Sequence, residues 1–450
     1  MFFWYFMSSF TVCERKIFVS FQKRGGYMKM FQIGRILFVV FAVAFFMNVE
    51  LTLVHNTEVT AKQSHFGRTK STNEKKFLGL VLDGKTVHLP PGLPRSQDVY
   101  PHLAQAIEKG KQLLKNDRLN QKMCGGSGKG IRQCLGDYKI AVIHMNGTMK
   151  IISFYEGREP SAKGFQILLE GGKKRAIGVN VPFDITSPEG WTVLAVRTVV
   201  RNGKTGGRPV VYVPYTSKLD TPEIRERGLK YLVRLVGQEQ TSLRKDRVES
   251  RYFSERFVAE MSPADLVLVI QLTEHIRNAN RFINGDDEIR TQLLNRELTI
   301  LGGNLEDAYG ASISAAGAAG IGQWMETSWN RIQDAYTDAN LPNADIGRFD
   351  HSAAVKATFC HLDEEWRPFS GEMRDYLGRN PRYHRMVFGA GYNASIDRVA
   401  RAIKRHDSKW KEALPSETKG YVEKIDWIHR TLFGKRKPPL LPTVVKLRTI

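Results

Sequence analysis

Apolar and polar residues alternate with a period of two through much of residues 77–220, the pattern of strands that bury one face. The clearest pair of runs, 140–145 and 148–155, is separated by Asn146-Gly147, a strong signature of a two-residue hairpin turn. Two further candidate hairpins join 165–170 to 176–181 and 191–201 to 210–213. With one helix predicted over about 99–114, we expect a β-rich domain of unassigned role.

The apolar period changes to that of helices after Thr221. There Thr221-Pro222-Glu223 places a capping residue before a proline at the first helical position, which favours a helix start. The periodicity predicts helices over 223–243, 263–277, 287–300, 328–337, 352–366, 396–404 and 421–432. The expected fold class is α+β: a β-rich middle domain over 77–220, a mostly α-helical domain over 221–434, and a basic, proline-containing tail over 435–450.

A third pattern marks the N-terminal region. Residues 36–47 are twelve consecutive apolar residues that follow basic residues, which is typical of a secretory signal or an uncleaved anchor. Extending the run to Val54 brings in polar residues, among them Glu50, so a stable membrane span does not follow from it. We assign 28–55 to this signal or anchor segment.

The segments on either side of 28–55 are polar or basic. Residues 56–76 contain few large apolar residues and are predicted to be a linker. Residues 1–27 form an aromatic and basic leader whose place in the protein is doubtful, and we expect the chain to start at Met28 or Met30.

Charge narrows the class of partner. The chain of 450 residues carries 67 Lys and Arg against 46 Asp and Glu, a formal net charge of +21, which predicts attraction to an anionic partner. Nucleic acid, a membrane surface and a cell-wall polymer all fit that charge. Because the chain begins with an export segment, we expect no nucleic acid and favour the periplasm or cell envelope, with an anchor to the inner membrane if the segment is uncleaved.

Cysteine and histidine usage predicts no metal site and no cofactor. Four cysteines exclude a disulfide-dense scaffold. Cys124 and Cys134 bracket a glycine-rich loop and are compatible with a disulfide or with two free thiols, while Cys360 fits a small core residue. The loop over 125–130 lacks the spacing and the Ser or Thr of a phosphate loop. The histidines show neither H-E-x-x-H nor zinc-site spacing.

One carboxylate occupies an unusual position in the helical region. Ser262-Pro263-Ala264-Asp265 opens a helix as cap, first-turn proline and N-terminal acid. Within it Val267, Ile270 and Glu274 share one face, so Glu274 lies on an apolar stripe near the helix end. Burial there would raise the pKa of Glu274, as a general acid near neutral pH requires. The alternative is a glutamate at the edge of the stripe that pairs with Arg277 or reaches solvent.

A run of glycine and alanine follows this helix. Residues 314–324 end in Gln323-Trp324, and Thr327 is predicted to cap the next helix. Small residues let a backbone approach a ligand closely, as clefts that bind sugars need. A tight contact between two helices would use the same residues.

Three segments carry a family resemblance. Residues 314–327 resemble the S-x-x-G-A-x-G-L-M-Q-x-x-P-x-T signature of the soluble lytic transglycosylases, which have a goose-type-lysozyme-like fold. Residues 391–395, followed by Arg398-Val399, resemble the A-Y-N-A-G motif, and 414–422 resemble P-x-E-T-R-x-Y-V. Three motifs in the family's order make the resemblance specific, and it covers roughly 262–432.

The resemblance implies a peptidoglycan-cleaving enzyme with a single catalytic glutamate. That glutamate would protonate the oxygen between MurNAc and GlcNAc and then accept the proton of the MurNAc C6 hydroxyl, which closes a 1,6-anhydro ring. It also implies a helper and lining residues for the glycan strand: Ser314 orienting the acid, and Gly320, Gln323, Trp324, Tyr392, Asn393 and Tyr421. Trp324 is equally compatible with sugar stacking and with a core position.

The catalytic glutamate is assigned to Glu274, with two alternatives. Glu306 matches the family's spacing better, but Gly302-Gly303-Asn304 precedes it where an apolar helix belongs, and Glu297 is intermediate. Only Glu274 ends a well-capped apolar helix, although His275 stands where the family has serine. A muramidase-type hydrolase on the same fold and a non-catalytic wall-binding protein remain the alternative functions.

Overall fold

The alternating segments form antiparallel strands in the computed structural model, which describes residues 22–23, 26–27, 80–91, 100–117, 137–155, 161–162, 164–169, 182–202, 205–276 and 279–434. The predicted segments 28–55, 56–76 and 435–450 lie outside the described residues, as does the loop from Cys124 to Cys134. The described residues from 80 onward belong to one compact unit of mixed α and β class.

Eleven strands are described. They are β1 (Gln22–Lys23), β2 (Gly26–Tyr27), β3 (Leu80–Leu82), β4 (Lys85–Val87), β5 (Asp137–His144), β6 (Met149–Tyr155), β7 (Ser161–Ala162), β8 (Phe165–Leu169), β9 (Phe183–Ser187), β10 (Trp191–Asn202) and β11 (Thr205–Tyr212). Strands β1 and β2 pair with each other, and so do β3 and β4. The other strands form a four-stranded sheet in the order β11-β10-β5-β6 and a three-stranded sheet in the order β7-β8-β9.

The pairing confirms two of the three predicted hairpins. Strands β5 and β6 are joined through Asn146-Gly147, where Gly147 has a φ of 88°, and β10 pairs with β11. The second hairpin is wrong in its pairing, because the described partners of β8 are β7 and β9. Its predicted second strand, 176–181, lies outside the described residues.

The four-stranded sheet is covered on both faces. Helix α1 (Leu103–Asn116) packs its apolar side on one face against Ala141, Ile143 and Leu194. The other face packs on the three-stranded sheet, where Phe165 meets Trp191 edge to face at 5.3 Å between ring centroids. Successive residues of these strands therefore contribute to two apolar cores, one on each face of the sheet.

The C-terminal part is helical. Its helices are α2 (Pro222–Lys245), α3 (Val258–Met261), α4 (Ala264–His275), α5 (Ala279–Ile283), α6 (Asp287–Asn304), α7 (Glu326–Ala335), α8 (Ala344–Gly347), α9 (His351–Glu364), α10 (Gly371–Arg379), α11 (Pro381–Ala394), α12 (Ile396–His406) and α13 (Ser416–Phe433). All seven predicted helices are present. Helix α2 begins as expected, with the Thr221 hydroxyl accepting a hydrogen bond from the Ile224 amide.

Two predicted helix caps are wrong. The Ser262 hydroxyl donates instead to the Phe359 carbonyl at 2.7 Å, and α4 begins after Pro263 without a side-chain cap. Helix α7 begins at Glu326, so Thr327 lies inside its first turn. At Ser262 a tertiary contact replaces the local capping hydrogen bond that the sequence favours, and at Thr327 the earlier start of the helix does so.

Helix α4 lies at the centre of the helical part. Helices α2, α6, α9, α11 and α13 surround it, and hairpin β3–β4 adds Leu82 and Val87 to the same core. In the first turn of α4 the Asp265 carboxylate accepts hydrogen bonds from Lys85 at 2.6 Å and from His429 at 2.8 Å. The hairpin that precedes the large sheet in the chain thus packs with the helices.

Candidate active site

Glu274 differs from every other residue of α4. The other eleven residues of this helix are buried, and Glu274 alone is partly exposed. The expected one-sided apolar stripe is therefore wrong for most of the helix, which is buried all round. The apolar core holds α4 rigidly, and its C-terminal turn presents a single carboxyl group to solvent.

The Glu274 carboxyl group is held by helix α13. The Tyr421 hydroxyl donates a hydrogen bond to Glu274 Oε1 at 2.6 Å. Burial raises the pKa of Glu274 to about 7, and the Tyr421 hydrogen bond and the positive charge of Lys424 oppose that rise. At neutral pH both the protonated and the charged form of this carboxyl group are populated, which suits a group that gives up a proton and takes one back.

Lys424 secures the turn that carries Glu274. Its ammonium donates to the Ile276 carbonyl at 3.2 Å and to the Thr273 carbonyl at 3.4 Å, at the C-terminal end of α4. A cation there satisfies carbonyls that the helix leaves unpaired. Sequence analysis missed Lys424, although its spacing of three residues from Tyr421 places both side chains on one face of α13.

The glycine-rich segment 314–324 packs beside Glu274 as a tight loop. His275, next in sequence to Glu274, hydrogen-bonds through Nε2 to the Ile321 carbonyl at 2.8 Å. The Tyr392 hydroxyl of α11 donates to the Gly322 carbonyl at 2.7 Å. These two contacts tie the loop to α4 and α11 at the place where Glu274 reaches solvent. His275 therefore has a positional role, because it holds this loop against the end of α4.

The predicted site residues divide into two groups. Tyr421 and Tyr392 lie close to Glu274: burial raises the pKa of each tyrosine, and the nearby Glu274 charge raises it further. Asn393 is partly exposed in the last turn of α11, beside Tyr392.

The other predicted residues build the loop. Ser314 accepts a hydrogen bond from the Ala318 amide at 3.0 Å, and no hydrogen bond joins it to Glu274 among the described residues. The Gln323 side-chain amide donates through Nε2 to the Gly320 carbonyl at 2.8 Å. Trp324 is buried and packs edge to face on Trp329 and Tyr392, so it is a core residue.

Gly320 shows why the loop needs glycine. Its φ is +70°, and a Cβ atom there would lie 1.8 Å from the Arg348 carbonyl oxygen. Both the backbone conformation and the contact exclude a side chain. The small residues of the signature therefore serve the packing of this loop against the segment around Arg348.

The alternative glutamates have other surroundings. Glu306 is exposed on a single turn after α6. Glu297 is buried in α6 and accepts a hydrogen bond from the Tyr309 hydroxyl, and the Tyr309 ring stacks on His275 at 3.4 Å between centroids. Glu297 therefore supports the residue next to Glu274, and Glu306 lies on the surface, outside the buried environment that surrounds Glu274.

A further carboxyl group, Glu365, lies beneath α11. It is almost fully buried, its pKa is raised by that burial, and a Cβ atom on Gly391 would lie 1.7 Å from its Oε2. Helix α11 thus covers Glu365, and Glu274 is the carboxyl group that reaches solvent here.

Within the part of the chain that the structure describes, no group of three or more His, Cys, Asp or Glu side chains is arranged to hold a metal ion. No helix in that part has the length and apolar content that a membrane crossing needs.

Comparison with known proteins gives no relative for this chain: no family model, no curated protein and no solved structure matches it. The chemistry of the site therefore has to be inferred from its own geometry, which offers a proton donor of near-neutral pKa, a tyrosine that orients it and a lysine that fixes its helix turn.

Proposed function

We propose that this chain is a lytic transglycosylase that cleaves peptidoglycan, with a lysozyme-like helical domain and Glu274 as its single acid and base. The observation that carries the proposal is the partly exposed carboxyl group at the end of an otherwise buried helix, held by Tyr421, with a pKa near 7. The order of the three sequence motifs supports the same assignment, because their segments 314–327, 391–395 and 414–422 meet around this carboxyl group.

The reaction transfers one proton from Glu274 to the substrate and then one proton from the substrate back to Glu274. Protonated Glu274 donates to the glycosidic oxygen as the bond from MurNAc C1 to that oxygen breaks, and the substrate's N-acetyl group stabilises the resulting cation. The Glu274 carboxylate then accepts the proton of the C6 hydroxyl while that oxygen forms a bond to C1. The Tyr421 hydrogen bond stabilises the carboxylate between the two steps.

The products of digestion test the proposal. Mass spectrometry of purified peptidoglycan treated with the full chain is expected to show 1,6-anhydro-MurNAc ends. Reducing MurNAc ends would identify a hydrolase on the same site. An undigested wall would favour a non-catalytic wall-binding protein.

In the proposed setting the positive charge of the chain draws it to the anionic cell envelope, and segment 28–55 directs export or anchors the chain to the inner membrane.

The rate is expected to fall as pH rises through about 7. The first step needs the protonated acid, and burial holds the pKa of Glu274 near that value, so the acid form predominates below it and is lost above it. Initial rates of turbidity loss from a peptidoglycan suspension, measured between pH 5 and 9, would show this fall as the alkaline limb of the pH–rate profile. A rate that keeps rising to pH 9 would contradict the assignment of Glu274 as the acid.

Replacing Tyr421 by phenylalanine is expected to lower kcat about tenfold and to move the alkaline limb to higher pH, since a hydrogen bond to a charged group contributes on the order of 1.5–3 kcal/mol. The Tyr421 hydroxyl lowers the pKa of Glu274, so its loss lets that pKa rise. The measurement is the pH–rate profile of the variant. Tyr383→Phe is the control, because Tyr383 packs on Trp410, away from the Glu274 hydrogen bond. A lower rate with an unmoved limb would assign Tyr421 a structural role only.

A further inference from the structure

A second pocket lies at the opposite end of α4 from Glu274. It has a volume of about 560 Å³ and is bounded by the first turn of α4, by helix α10, by the start of α11 and by Lys85 of β4. Asp265 lines this pocket, and it precedes Glu274 by nine residues, or about 13 Å along the helix axis. The pocket is therefore distinct from the candidate active site but is fixed to it by the same helix.

Four of the side chains that line the pocket are positively charged. Lys85, Arg374, Arg379 and Arg385 all line it. Buried Asp265 already has Lys85 and His429 as hydrogen-bond partners. Burial acts to raise the pKa of Asp265, but these partners hold that pKa below its usual range, so Asp265 stays a carboxylate. Arg379 is exposed at the end of α10 and makes no ion pair with any described residue. It is thus available to an incoming carboxylate.

Two buried ring nitrogens in the pocket wall have no hydrogen-bond partner among the described residues. They are Nε2 of His384 and Nε1 of Trp366, on side chains that are 6% and 2% exposed. The indole nitrogen can only donate a hydrogen bond, and burial lowers the pKa of His384 to about 3, so its ring is neutral at pH 7. Buried polar groups are usually paired, and these two leave the pocket wall with hydrogen-bonding groups that no described residue uses.

The remaining walls match a peptide better than an inorganic ion. Phe253, Met261, Pro263 and Pro381 give the pocket an apolar surface, and Glu260 and Asp375 add two carboxylates to its rim. A ligand that uses all of these walls carries carboxylates, an amino group and some apolar surface. A lone phosphate or acetate would leave most of the volume unfilled.

We propose that this pocket binds a short acidic peptide, with a ligand carboxylate at Arg379 and Arg374 and a ligand ammonium group near Asp375. This assignment rests on the proposed function, under which the natural source of such a peptide is the stem peptide that peptidoglycan carries along its glycan strands. Binding there holds a strand by its peptide while Glu274 acts on the sugar chain.

Isothermal titration calorimetry of the full chain with the tripeptide L-alanyl-γ-D-glutamyl-diaminopimelate tests the proposal. Gly378→Glu adds a carboxylate to the pocket wall, where a Cβ atom meets nothing within 4 Å, so the variant is expected to fold. Gly371→Glu makes the same change on the same helix, also in open space, outside the pocket lining. We expect Gly378→Glu and Arg379→Gln each to weaken tripeptide binding at least tenfold, and Gly371→Glu to leave it unchanged.

Several results would overturn the proposal: no binding of the tripeptide by the unmodified chain, equal binding by the two glutamate variants, or inorganic phosphate binding as tightly as the tripeptide. Cleavage of glycan strands stripped of their peptides is expected to be the same for the unmodified chain and Gly371→Glu, which lies outside the pocket lining. Because binding is measured without turnover, a chain that binds the tripeptide and cleaves nothing contradicts the proposed function alone. A chain that cleaves and does not bind contradicts the pocket assignment alone.

Discussion

Replacing Glu274 by glutamine is expected to lower the rate of peptidoglycan cleavage by at least about a hundredfold, since a positioned acid and base contributes roughly 10²–10⁴ in rate. Glutamine preserves the size of the side chain and can still accept the Tyr421 hydrogen bond at its oxygen. It can neither donate the proton to the leaving oxygen nor accept one from the C6 hydroxyl. The measurement is the release of soluble muropeptides from purified peptidoglycan.

The fold of this variant is checked by its melting temperature at pH 8. Because the pKa of Glu274 is raised in the folded state, its contribution to stability is present at low pH and is lost as pH rises through about 7. The neutral amide avoids that loss, so the melting temperature of Glu274→Gln at pH 8 is expected to equal or exceed that of the unmodified chain. A lost activity with a retained fold then identifies a chemical role.

Glu306→Gln and Glu297→Gln are the matched controls for the same measurement. Glu306→Gln is expected to keep full activity, because Glu306 is exposed. Glu297→Gln alters the hydrogen bond to Tyr309 and is expected to lower stability more than the chemical rate. If either control loses activity while Glu274→Gln keeps it, the assignment to Glu274 is wrong. If all three variants are as active as the unmodified chain, the single-glutamate mechanism is wrong.

Gly320→Ala is expected to lower the free energy of unfolding by at least about 3 kcal/mol and to abolish activity with it. The added Cβ atom would lie 1.8 Å from a backbone oxygen of Arg348, which cannot rotate away, at a φ of +70°. Moving the loop to relieve that contact disturbs the hydrogen bonds that Ile321 and Gly322 make beside Glu274. Urea unfolding of the variant measures the loss.

Gly317→Ala separates the two causes. Gly317 has a φ of +93° in the same loop, but a Cβ atom there meets nothing within 4 Å. Its substitution therefore costs only the backbone strain, about 1–2 kcal/mol. Equal losses in the two variants would show that strain, and not the contact with Arg348, accounts for the need for glycine.

The fold was predictable from the sequence where local signals are strong. Asn146-Gly147 defines its hairpin because few other residue pairs adopt that turn, and the apolar periodicity located each of the seven predicted helices. Helices α10 and α11 were missed, because Gly371–Arg379 is mostly polar and Pro381–Ala394 mixes histidine, tyrosine and glycine with its apolar residues. The partner of β8 was mispredicted because strand pairing depends on contacts between distant segments.

The candidate site was predictable only in part. The apolar helix around Glu274 indicated a carboxyl group with a raised pKa, and the structure surrounds that carboxyl with Tyr421 and Lys424. The sequence alone does not distinguish the residues that line the site from the residues that hold its loop in place. Trp324, Gly320 and Ser314 belong to one motif in the sequence, and only their burial and their contacts show that they hold the loop.

The position of hairpin β3–β4 determines where the chain can be cut. A fragment that began at the sheet-to-helix transition near Thr221 would leave out Lys85, although the Asp265 carboxylate in the first turn of α4 accepts its hydrogen bond. It would also leave out His88, whose amide donates to the Leu432 carbonyl near the end of α13. An excised set of helices would then carry a buried carboxylate with one partner fewer, at the base of the helix that presents Glu274. The helices and the hairpin should therefore be expressed and engineered as one unit, even though more than a hundred residues of sequence separate the hairpin from Thr221.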